Sequence, residues 1–221
     1  MARSGRPLAM PTDERKAEIY SAAEKLFGER GYDKVTMSDV AAAVGMSKKT
    51  LYRLFADKET LLKSLVRSSD IWPDGVFAVD AGDRVDELRL RLRVIANHVL
   101  SERHINLSRL AISESMGIKG LAQTFLEMGI GKSRDSLIES ISKIERRRFV
   151  IDLPPHLLAD MLYGATCGLN LMSALLTRAK PNIKTVYATI DETIEKTFVG
   201  KPLSIRMTTS RKDAKHSEKK P

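Results

Sequence analysis

The 221-residue chain has one cysteine, Cys167, so no internal disulfide can form. Its four histidines pair with no cysteine at a zinc-like spacing, and His98 and His104 stand six apart, which does not align two ligands on one helical face. A metal site is therefore not expected. Phosphate-cradling glycine loops are missing too, with neither GxGxxG nor GxxxxGK[ST] present. Without a nucleophile beside a base, or paired carboxylates, the chain is expected to be no enzyme and to need no cofactor. Long apolar runs are also absent. Residues 161 to 177 are uncharged but include Gly164, Thr166, Gly168, Asn170 and Ser173, and fall short of the ~20 residues a membrane span requires. That stretch reads as a buried helix. With no apolar leader at the N terminus, a cytoplasmic protein with no membrane partner is expected.

Positive charge, by contrast, is abundant. The net charge is +9 and the isoelectric point about 9.7, which suits a polyanionic partner. The excess sits at the ends. Residues 1 to 70 hold 13 Lys/Arg against 10 Asp/Glu and residues 201 to 221 hold 7 against 2, leaving the middle nearly neutral at 17 against 16. Residues 1 to 12, with Arg3, Gly5, Arg6 and two prolines, read as a flexible basic arm, and residues 201 to 221 as a disordered basic tail.

Residues 36 to 55 read as two short helices joined by a glycine turn. Thr36 caps the first, with Asp39 at its third position completing a capping box. Val40, Ala43 and Val44 form an apolar stripe, and Gly45 supplies the left-handed residue that ends the helix. Ser47 caps the second helix. Helical periodicity puts Leu51, Leu54 and Phe55 on one side of it and Lys48, Lys49, Tyr52 and Arg53 on the other. This is a helix-turn-helix, a device for laying a helix in the major groove. Lysines in the first turn oppose the helix dipole, and the same oddity recurs at Lys58 after the N-cap Asp57. Such local violations mark functional sites, and lysines at helix starts suit a phosphate backbone.

Residues 13 to 72 resemble the DNA-binding domain of the tetracycline-repressor (TetR) family of transcriptional regulators. The resemblance runs through Ile19 to Phe27, Gly31-Tyr32, Thr36 to Ala41, Gly45-Met46-Ser47, Thr50-Leu51-Tyr52, Phe55 and Lys58-Glu59. Leu54 stands where the family often carries histidine, so altered packing is expected there. The resemblance implies an all-α protein: a three-helix DNA-binding domain, then a helical bundle over 73 to 200 that binds an effector and dimerises. It implies that Thr36, Ser38, Lys48, Lys49, Thr50, Tyr52, Arg53 and Lys58 meet double-stranded DNA at a palindromic operator. Their positions divide the work. Thr36, Lys58 and the Tyr52 hydroxyl are placed for phosphates, Lys48 and Lys49 for base edges, where lysine suits guanine O6 and N7, and Ser38 and Thr50 for either.

The remaining sequence patterns as helices at about 58 to 71, 84 to 102, 104 to 116, 118 to 147, from Pro154-Pro155 to Lys180, and 183 to 198. The sequence Trp72-Pro73 ends the first of these. By the resemblance, the last two helices form the interface of a homodimer, and Gly164, Ala165, Gly168, Ser173 and Ala174 among leucines permit close approach. The C-terminal half loosely resembles AefR-type regulators. A pocket for a small apolar effector is expected from Phe77, Met116, Phe125, Met128, Met161, Tyr163 and Met172, with His98, Glu114 and Asn170 fixing orientation. The expected function is a ligand-released repressor; the alternative is an architectural DNA-binding protein without effector control.

Overall fold

The computed structural model describes residues 12 to 69, 81 to 151, 153 to 177 and 179 to 199. The basic arm, the tail, the Trp72-Pro73 break, Phe77 and the side chain of Met128 lie outside the described residues. Within them the regular elements are helices, with one isolated bridge between Phe149 and Phe198. α1 (Thr12–Arg30), α2 (Met37–Ala43), α3 (Lys48–Leu54) and α4 (Lys58–Ser69) precede α5 (Arg84–Val99) and α6 (Glu102–Glu114). α7 (Leu121–Phe125) continues through a π turn, Leu126–Gly131, into α8 (Lys132–Ser142). α9 (Pro155–Tyr163) likewise passes through a π turn, Gly164–Gly168, into α10 (Leu169–Thr177), and α11 (Ile183–Thr197) follows.

Two apolar cores organise these helices. In the first, Ile19, Ala23 and Phe27 of α1 meet Val40, Leu51, Phe55, Leu61, Leu62 and Leu65. Leu107 and Ala111 of α6, with Ile118 and Leu121, complete it, so the N-terminal unit shares its core with the helices that follow. In the second, Leu88, Leu92 and Ile95 of α5 pack on Leu137 and Ile141, Leu158 and Leu162, and Val186, Ile190 and Ile194. Each fully buried aliphatic side chain contributes about 1.5 to 3 kcal/mol. Across the second core Arg93 grips Asp191 with two 2.7 Å bonds and lies over the Tyr187 ring, 5.0 Å from its centroid.

Each of the two π turns contains glycines. Glycine holds an α-ladder weakly, so an extra residue is accommodated there at least cost. Around the second turn, Thr166 donates its hydroxyl to the Leu162 carbonyl at 2.7 Å and Asn170 donates Nδ2 to the Thr166 carbonyl at 3.1 Å. The stripe on α2 also differs from expectation. Ala43 is exposed, and Met37, Val40 and Ala41 are the buried residues, because the helix is rotated to face α1 and α3.

Candidate nucleic-acid interface

α2 begins with a complete capping box. The Thr36 hydroxyl donates to Asp39 Oδ2 at 2.6 Å and accepts from the Asp39 amide at 3.2 Å, while the Thr36 amide donates to the same carboxylate at 2.8 Å. These bonds hold the Asp39 carboxyl below the usual carboxylate range. Gly45 has φ 62°, the left-handed conformation that turns the chain toward α3. Ser47 then accepts from the Thr50 amide at 3.1 Å, and its hydroxyl lies 2.9 Å from that of Thr50. α3 is thereby fixed at its start, with Leu51 buried beneath it and Leu54 half-buried.

The opposite side of α3 is open. Lys48, Lys49, Tyr52 and Arg53 are all exposed, and no acidic residue occupies the first turn. Tyr52 shows 51% of its surface to solvent, unusual for a large aromatic with a core nearby. Ser38 is half-buried on the first turn of α2 and Thr50 half-buried on α3. The structure thus leaves the expected basic and aromatic residues of α3 together on one open face.

Two of the expected residues are committed to other work. Thr36 spends its only hydroxyl proton on Asp39, so a phosphate could receive that proton only by displacing the carboxylate. Lys58 explains its place at the start of α4 without invoking DNA: its ammonium donates to the Tyr32 carbonyl at 2.8 Å and the Asp33 carbonyl at 3.4 Å, and lies 4.1 Å from the Tyr32 ring centroid. An ammonium has three protons, so one stays available. Nearby, burial and the charges of Glu59 and Glu114 push the Tyr32 phenol up to about 12.

The residues expected to line a pocket do not converge. Met116, at 97% exposure, Met161 and Met172 lie on the surface, because they sit on the outward sides of their helices. Tyr163 and Asn170 are half-buried around the second π turn. Burial raises the Tyr163 phenol. His98, His104 and Phe125 do come together, with ring centroids 5.0 and 6.2 Å apart. The turn between α5 and α6 closes this cluster, so spacing along one helix is the wrong measure of it. Burial, followed by the neighbouring charges of His98 and Arg103, lowers His104 to about 4. Among the described residues no group of three His, Cys, Asp or Glu could hold a metal ion. Cys167 is buried, and burial pushes its thiol up to about 11, leaving it unreactive.

A separate cleft of about 1480 Å³ opens between α1, α6 and the turn before α11. Glu114 alone of the expected pocket residues is on its wall, which Glu24, Arg103, Arg109 and Lys180 share. Sequence reasoning missed these, since a cleft between distant helices leaves no periodic signal. No helix among the described residues is long and apolar enough to cross a membrane.

Residues 19–65 match the model of the bacterial regulatory proteins, tetR family. The HTH-type transcriptional activator FasR of Mycolicibacterium smegmatis is 38% identical over 88 residues, covering 39% of this chain and 40% of that protein. The HTH-type transcriptional regulator TtgR of Pseudomonas putida is 33% identical over 95 residues, 41% of this chain and 45% of that protein. The matches thus span less than half the length of these curated relatives. Similarity in fold extends further. A TetR-family regulator structure from Mesorhizobium loti superposes with TM-score 0.69 at 24% identity, covering 85% of this chain and 96% of that one. The fatty acid degradation regulator FadR of Bacillus halodurans gives 0.63 at 21% identity, covering 80% and 96%. Residues 19–65 are thus a tetR-type helix-turn-helix region, set in a chain that shares the all-α fold of the TetR-family structures.

Proposed function

We propose that the protein is a homodimeric, ligand-responsive repressor that binds a palindromic operator through α3 and releases it when a small effector binds. The observation that carries the DNA-binding half is the exposed face of Lys48, Lys49, Tyr52 and Arg53 on a helix capped at Ser47 and anchored by Leu51. Lysines at a helix N-terminus without acidic neighbours are unfavourable unless a polyanion is present. Lys48 and Lys49 reach base edges; Tyr52, Arg53 and the remaining proton of Lys58 grip phosphate.

Dimerisation is supported by an exposed apolar stripe. Leu157, Met161, Leu169, Met172 and Leu176 face outward along α9 and α10, with Leu169 and Leu176 more than three-quarters exposed. Gly164 and Ala165, also exposed, leave room for a helix of a second copy. The effector reading rests on the cluster of His98, His104 and Phe125 between α5, α6 and α7, where α6 and α7 also contribute to the N-terminal core. A ligand seated there would bear on both units.

Selection of bound sequences from a random DNA pool tests the reading. An inverted repeat with half-sites about one helical turn apart, roughly 34 Å, is expected. A flat preference across sequences would instead establish the architectural alternative.

A further inference from the structure

An operator-binding dimer must hold its two recognition helices at one separation, and two arginines of α6 tie it to elements on either side. Near its start, Arg103 donates Nε to Glu24 Oε2 of α1 at 2.9 Å. Farther along, Arg109 turns to α10: Nε donates to the Leu175 carbonyl at 3.2 Å, one terminal nitrogen to the Ala174 carbonyl at 2.5 Å and the other to Asn106 Oδ1 at 3.0 Å. Ala174 and Leu175 belong to the last turn of α10, whose carbonyls have no helical donor and whose dipole favours a cation. α10 also carries Leu169, Met172 and Leu176 of the proposed dimer face.

A continuous path therefore runs from the dimer face through Arg109 to α6, then through Arg103 and Glu24 to α1 and the recognition unit. Leu107 and Ala111 of α6 share a core with Ile19, Ala23 and Phe27 of α1, and beside this packing a cleft of about 1480 Å³ opens between the two helices, lined by Glu24, Arg103 and Arg109. The Arg103–Glu24 ion pair adds to that packing a link across the cleft. Lys180 and Glu102, 3.4 Å apart at the mouth, are far more exposed and contribute little.

We propose that Glu24, Arg103 and Arg109 are positioning residues that set the half-site spacing the dimer accepts. This inference rests on the dimeric operator reading above. The pair is partly solvated, so each copy is worth about two- to fivefold, and two-fold symmetry squares this to about 4- to 25-fold in discrimination between spacings.

The test takes the inverted repeat selected by the full chain and varies its spacer by one and two base pairs. Affinities are measured for the wild type, Glu24→Arg, Arg103→Glu and the double reversal. Each single reversal should cut the preference for the selected spacing about 4- to 25-fold without altering which bases are preferred. The double reversal should restore it. A purely structural role would lower melting temperature and all affinities together, leaving the spacing ratio untouched; that result overturns the proposal, as does a double reversal that fails to rescue. Arg109→Met should relax spacing in the same way, and where it does not fold the charge reversal decides alone. A wild type that selects no inverted repeat overturns the operator reading itself, a failure visible before any variant is made.

Discussion

The Lys58 ammonium donates to the Tyr32 carbonyl at 2.8 Å and lies over the same residue's ring, tying the start of α4 to the turn after α1. A lysine in a helix's first turn is thus held by a carbonyl and a π face rather than by an acid. Lys58→Ala should therefore do two things. Melting should show a destabilisation of about 1 kcal/mol from the missing hydrogen bond, and binding to all DNA sequences should weaken. If the third proton reaches a phosphate, the log-log salt slope should flatten by about 0.9 for each phosphate no longer neutralised. An unchanged slope with lowered stability would make Lys58 a structural residue only.

Lys48→Ala should behave differently. The side chain is exposed on α3 and supports no core packing, so melting should hardly change. Preference at one or two base pairs per half-site should relax, by about 1 to 3 kcal/mol each. Repeating the pool selection with the variant measures this directly. A loss equal across all sequences would reassign Lys48 to phosphate.

The recognition unit was legible because its determinants are local. Capping at Thr36 and Ser47, the left-handed Gly45 and the two sides of α3 are each set by residues within a few positions, and the structure has all of them. What was not legible depends on partners distant in sequence. Lys58 and Tyr32 are 26 apart, Arg103 and Glu24 79 apart, and Arg109 and Leu175 66 apart. The methionines expected to line a pocket for their softness, at 116, 161 and 172, lie on surfaces whose orientation only the packed bundle decides. His98 and His104 meet through a turn between helices, a geometry their six-residue spacing conceals.

Dimerisation through α9 and α10 can be broken without touching the core. Leu169 and Leu176 are 76% and 77% exposed within one subunit, so replacing both by glutamate buries no charge in the monomer. Sedimentation should show a dimer for the wild type and a monomer for the variant, with helical content unchanged. Operator affinity should fall sharply, because each half-site then binds alone. A variant that remains dimeric would place the interface elsewhere.

Stability should fall with pH through the histidine window. His104 is buried and lowered to about 4, against about 6.5 for an unfolded histidine. Between these values the unfolded chain binds a proton that the folded chain refuses. Unfolding is therefore favoured as pH drops from about 6.5 toward 4, with a cost on the order of 3 kcal/mol at the lower end. His98, lowered by burial and the charge of Arg103, adds in the same direction. Carboxylates such as Asp83 and Asp57 are depressed below their ordinary value, so their contribution disappears only in a more acidic range. The drop in melting temperature between pH 6.5 and 4.5 thus belongs to the histidines. His104→Leu should flatten it, leaving a smaller slope from His98. If the variant keeps the full wild-type slope, the proton is taken up elsewhere and the His98–His104 cluster is not the acid-sensitive element.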